Sequence, residues 1–182
     1  MYKSILMSAV LVGLVSVAQA QAEQTATGHS AKTSSLNPAQ SGEAVAIGDL
    51  TISGGFARAT LPNQPVGGGF FAVTHSGDAD DRLVSVSTEV SPRVEIHEMR
   101  VTETVMKMRK LEGGLHIPAG ETVVLEPGGL HLMFMDLTQP LIKEEILPVT
   151  LTFENAGEVV VPLAIKAPNA RKSGDHSTHD GH

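Results

Sequence analysis

Between residues 44 and 166 apolar and polar positions alternate in short runs, broken every few residues by Gly, Pro, Asn or Asp. Alternation with period two marks half-buried strands, and the breakers between the runs are turn chemistry. The pattern predicts strands near 45–52, 68–75, 82–88, 93–100, 104–110, 121–126, 130–136, 146–154 and 158–166. Gly77-Asp78, Gly113-Gly114 and Asn155-Ala156-Gly157 are predicted turns. No stretch carries a sustained 3.6-residue apolar period, so the expected domain, residues 44–166, is an all-β sandwich or barrel.

The flanks read differently. Lys3 precedes an apolar run from Ile5 to Val17 that closes on Ala18-Gln19-Ala20, the pattern of a secretory signal over residues 1–20. That run is short of the roughly 20 apolar residues a bilayer span needs, so no membrane span is expected. Residues 21–43 are mostly small and polar and predict a flexible leader. Residues 167–182 predict a flexible, histidine-rich tail.

Composition narrows the function. The formal charge is −7, and no run of Lys and Arg could follow a phosphate backbone, which argues against nucleic acid as a partner. There is no cysteine, which removes disulfides, thiolate metal sites and a blue-copper centre from consideration. There is no tryptophan, and the single tyrosine, Tyr2, falls in the signal.

Methionine supplies the positive evidence. Of seven methionines, Met1 and Met7 lie in the signal, and the others are Met99, Met106, Met108, Met133 and Met135. Gap-filling methionines of a core are normally scattered, whereas these share one short window with His97, His116 and His131. Strand alternation puts Glu95, His97 and Met99 on one face, with Val94 and Ile96 on the other. It likewise pairs Met106 with Met108, and His131 with Met133 and Met135, opposite Leu130, Leu132 and Phe134. Imidazole with thioether is a soft, neutral donor set that suits Cu(I) and suits Zn, Mg or Ca poorly.

The runs Ala57-Arg58-Ala59-Thr60, Val94-Glu95-Ile96-His97-Glu98-Met99, Val105-Met106-Lys107-Met108-Arg109, Ile117-Pro118-Ala119-Gly120 and Pro127-Gly128-Gly129-Leu130-His131-Leu132-Met133 resemble the PCu(A)C family of periplasmic copper chaperones. The resemblance covers about 45–166. It implies a cupredoxin-like Greek-key β-sandwich in the periplasm, with Cu(I) held by His97, Met108, His131 and Met133. It also implies delivery to the copper-centre subunit of cytochrome c oxidase, with thiol-bearing copper chaperones as fellow partners. A monomer without enzymatic activity is expected.

The sequence departs from the family in two places. The family motif is a histidine, ten residues, a methionine, twenty-one residues and then His-x-Met. Here ten residues (98–107) separate His97 from Met108, but twenty-two (109–130) separate Met108 from His131. An added glycine in the Gly113-Gly114 turn would leave the strands in register. A bulge inside a strand would make Met106 the rival of Met108. The second departure is Phe56 where the family often has tryptophan.

Other readings stand beside this one. The same ligands would serve a copper-sequestering resistance protein, and the sandwich could be structural and metal-free. Met99, Met106 and Met135 read as wall or packing residues, and His75 and His116 as ordinary surface histidines. In the tail, His176, His179 and His182 alternate with Asp175 and Asp180, a harder donor set that would suit Cu(II).

Overall fold

The computed structural model describes residues 43–102 and 105–172, and among them none is helical. Eleven strands follow in chain order: β1 (Val45–Ile47), β2 (Leu50–Arg58), β3 (Val66–His75), β4 (Asp81–Ser87), β5 (Arg93–Thr102), β6 (Val105–Lys110), β7 (Leu115–Ile117), β8 (Thr122–Leu125), β9 (Leu130–Met135), β10 (Ile146–Phe153) and β11 (Gly157–Lys166). They form one curled sheet in the order β6-β5-β9-β8-β3-β2-β11-β10-β4-β7, with β1 paired to β2 and a second pairing of β9 with β3. Chain-consecutive β3, β4 and β5 are not neighbours along this path, so the connections pass between its two halves. The result is the expected Greek-key β-sandwich.

Three details differ from the sequence reading. The predicted strand 45–52 is two strands, because Gly48 at φ 54° turns the chain between them. Residues 53–58 extend β2 although Ser53-Gly54-Gly55 interrupts the apolar pattern; the register slips between Ser53 and Phe56 and the strand resumes. The three-residue β7 pairs with β4 beyond the Gly113-Gly114 turn.

The core lies between the two halves of the curl. Phe71, Leu132 and Phe134 from β3 and β9 meet Leu83, Leu151 and Leu163 from β4, β10 and β11 in one buried cluster. Burial of each such side chain stabilises the fold by about 1.5–3 kcal/mol. Gly69 makes this packing possible, since a Cβ there would stand 2.8 Å from Cζ of Phe134.

Packing continues past Lys166. Ala167 and Ala170 are buried, and Ala170 joins Phe56 and Phe70 in a second small cluster on the opposite side of the sheet. Phe56 and Phe70 are 4.9 Å apart between ring centres, so phenylalanine fills an aromatic packing position where the resemblance has tryptophan.

Candidate metal centre

The centre is built on β6, β5 and β9, which lie side by side at one edge of the sheet. Antiparallel β5 and β9 run in unbroken register from Arg93↔Met135 to Glu98↔Leu130, which sets His97 directly across from His131 and Glu95 across from Met133. The β5–β6 hairpin is equally regular and sets Met99 across from Met108 and His97 across from Lys110. Because directly opposed residues share a face, three rows follow one another on the outer face: Met99 with Met108, then His97 with His131, then Glu95 with Met133. Beneath them Ile96, Leu132 and Phe134 are buried in the core.

Rows on one face are separated by two residues, or about 7 Å along a strand. All four residues expected as ligands therefore sit on the histidine row or an adjacent one. The imidazoles of His97 and His131 have ring centres 5.8 Å apart, tilted at 45°. Met106 shares the face but lies opposite Val101, one row further out. Met135 lies opposite Arg93, beyond the Glu95 row.

The spacing question has a structural answer. Neither β6 nor β9 carries a bulge, so the extra residue between Met108 and His131 lies outside both strands, and Met108 keeps the face of His97. Gly114, at φ 77°, turns the chain where any Cβ would collide with the carbonyl oxygen of Leu83. Only glycine fits there.

Hydrogen bonding selects one tautomer for each neutral imidazole. His97 Nε2 lies 2.8 Å from Oε2 of Glu95. The Arg93 and Lys110 cations lie 3.7 and 3.6 Å from the other carboxylate oxygen. The His97 bond and these cations hold Glu95 below the usual carboxylate range, against the opposing effect of desolvation. An ionised carboxylate only accepts, so Nε2–H of His97 donates, which makes Nδ1 the lone-pair nitrogen of the neutral ring. That Nδ1 is buried and has no hydrogen-bond partner among the described residues. His131 donates from Nδ1 to the carbonyl of Gly129 at 3.0 Å, which frees Nε2. Burial pushes the His131 pKa down, the Gly129 bond opposes, and the nearby His97 lowers it further. The net effect favours the neutral ring, the form that can donate to a metal.

Exposure distinguishes the members. The side chains of His97 and Glu95 are 12% and 15% exposed. Met108 and Met106, on the outermost strand, are 50% and 62% exposed. A groove of about 370 Å³ runs from His131, Met133 and Met99 across Gly68 to Phe70 and Arg58.

The other histidines are elsewhere. His116 on β7 bonds Asp80 at 2.9 Å. His75 is buried, not the surface residue the sequence suggested, with Nδ1 3.3 Å from the carbonyl oxygen of Pro118. His176, His179 and His182 lie outside the described residues. Sequence reasoning placed Glu95 on the right face without giving it a role; its i−2 spacing from His97 was the available signal.

A family model described as "Putative lipoprotein LpqE-like" matches residues 50–165. The chain belongs to the LpqE-like family. One relative of this LpqE-like chain, "Putative lipoprotein Lxx21020" of Leifsonia xyli subsp. xyli (strain CTCB07), is 30% identical over 97 residues, which is 53% of this chain and 58% of that relative. Among solved structures, the copper-bound PCuAC domain from PmoF2 matches with TM-score 0.59 and 26% identity over 69% of this chain and 98% of that one. The apo PCuAC domain from PmoF1 matches with TM-score 0.59 and 27% identity over 69% and 99%. The solution structure of CuI-DR1885 from Deinococcus radiodurans matches with TM-score 0.53 and 23% identity over 71% and 83%. The LpqE-like chain thus has a PCuAC-like fold.

Proposed function

We propose that this protein is an exported copper chaperone that binds one Cu(I) ion through His97, Met108, His131 and Met133 and passes it on by ligand exchange. The observation that carries this is the buried, unpartnered Nδ1 of His97, which stands in the row shared with His131 and is flanked by rows that hold Met108 and Met133. A buried ring nitrogen without a partner costs free energy, and a metal ion would satisfy it. The Glu95–His97 bond is the carboxylate–histidine arrangement that orients metal-ligating imidazoles. The copper-bound state of the PmoF2 domain, which shares this fold, supports the same reading.

Two neutral imidazoles and two thioethers leave the bound ion its single positive charge. Such donors bind Cu(I) less tightly than thiolates do, so transfer to a cysteine-bearing acceptor runs downhill. Met108, half exposed on the edge strand, is the donor an incoming ligand replaces first. The recipient in this reading is the copper-centre subunit of cytochrome c oxidase, reached with thiol-bearing chaperones. The signal pattern of residues 1–20 and the lipoprotein names of the family and relative support export to the periplasm. Binding and transfer, rather than turnover of a substrate, is the activity proposed.

A Cu(I) competition titration against a chromogenic chelator tests the site, using the mature protein, a form truncated after Lys172 and Met108→Leu. One tight equivalent is expected to survive truncation and weaken in Met108→Leu. Binding that disappears only with the tail would overturn the reading, and retention of copper in the presence of a dithiol acceptor would favour sequestration over delivery.

A further inference from the structure

Arg58 ends β2 beside the proposed copper site, with no counter-ion among the described residues. Its Nε donates to the carbonyl of Ala170 at 2.9 Å, and its guanidinium carbon lies 5.4 Å above the centre of the Phe70 ring. Among the described residues no carboxylate is within ion-pair distance of it, so its Nη hydrogens have no anionic acceptor there. Burial, and then the neighbouring charge of Arg171, push its pKa down. A partly desolvated guanidinium that makes one hydrogen bond to a backbone carbonyl keeps most of its donor fork in reserve.

That fork faces usable space. Gly68 lies across from Met133 on the neighbouring strand, and Phe70 is two residues further along the same face. With no side chain at Gly68, the groove stays open between the Met133 thioether and the Arg58 guanidinium. Its lining includes no Asp or Glu, although the chain carries a charge of −7. A volume of about 370 Å³ suits a molecule of amino-acid size rather than a folded partner's surface.

We infer that this groove binds a small carboxylate-bearing molecule with a sulfur or imidazole donor, its carboxylate forked on Arg58 and its donor beside His131 and Met133. In that pose the ligand completes or replaces part of the copper coordination, so the groove receives the metal as a small-molecule chelate or releases it to one. The role given to the donor rests on the Cu(I) reading above, whereas the carboxylate contact does not. A bidentate guanidinium–carboxylate pair supplies orientation as well as energy.

The test titrates 3-(methylthio)propionate and its methyl ester into the apo mature protein, followed by calorimetry and by the methyl NMR signals of Met99 and Met133. The acid is expected to bind at least about ten-fold tighter than the ester, equivalent to about 1.4 kcal/mol, with saturable shifts at both methionines. Arg58→Gln should erase the difference between acid and ester, and Arg58→Lys should retain only part of it. Gly68→Leu, which fills the groove and leaves every proposed metal donor in place, should abolish binding of both compounds. Equal binding of acid and ester, or shifts confined to other parts of the protein, would overturn the inference. A parallel Cu(I) titration of the same samples separates the two claims: loss of copper binding with intact acid binding sinks the metal reading alone.

Discussion

Two histidine–carboxylate pairs, His97–Glu95 and His116–Asp80, occupy opposite ends of the curled sheet path. His116 lies on the edge strand β7 and His75 at the end of the central strand β3, and each has an oxygen acceptor in reach, from Asp80 and Pro118. His97 and His131 also have oxygen acceptors, yet they face each other across adjacent strands, and one ring nitrogen between them is buried and unpartnered. Asp80 and Glu95 make nearly identical contacts to their histidines, at 2.9 and 2.8 Å. The lesson is that a histidine–carboxylate pair does not mark a metal site. What separates the two ends is the row of thioethers on either side and the second imidazole opposite.

The sharpest way to break this comparison is to remove one histidine from each end. His131→Ala should lower Cu(I) affinity beyond the roughly 100-fold that loss of an outer partner costs, while His116→Ala leaves it within about two-fold, as read by chelator competition. Similar losses from both would erase the distinction.

The carboxylates offer a finer contrast. Glu95→Gln keeps the size of the side chain but turns an ionised acceptor into a neutral amide, so affinity should fall by about 10–100-fold. Asp80→Asn, with the same change of chemistry at the other end, should leave copper binding unaltered. Two-bond ¹H–¹⁵N NMR should also show the Nε2–H tautomer of His97 weakened in Glu95→Gln and intact in Asp80→Asn.

The smallest effect is on stability. Burial lowers the folded-state pKa of His131, so below its unfolded value near ~6.5 the unfolded chain binds more protons than the folded one. Stability from this group is present above that pH and is lost as the pH falls toward the folded value. The urea midpoint of apo protein should therefore decline on acidification from pH 7 to pH 5, and His131→Gln should reduce the decline.

Much of this was legible in the chain, because strand alternation is a local property. Period two is enough to put His131, Met133 and Met135 on one side of β9 and Leu132 and Phe134 on the other. The breakers marked most strand ends, although Ser53-Gly54-Gly55 concealed the second half of β2, since a glycine-rich bulge looks like a turn when its partner strand is out of view. Burial of His75 was equally hidden, because residues at a strand end are covered or left open by neighbours distant in sequence.

Side-chain chemistry and a two-residue repeat were enough for the all-β architecture, for the face that His97 shares with Met99 and His131 with Met133 and Met135, and for the soft character of the donors. The packed fold was needed to set His97 opposite His131 rather than one row away, to put Met108 on their face and closer in reach than Met106, and to bring Glu95 to Nε2 of His97. Register between β5 and β9 is set by hydrogen bonds between segments some thirty residues apart in the chain, and a slip of one residue would reverse every face. The Arg58 groove belongs to the same class: it exists because Arg58 of β2, Gly68 and Phe70 of β3 and Met133 of β9, from three distant segments, meet there.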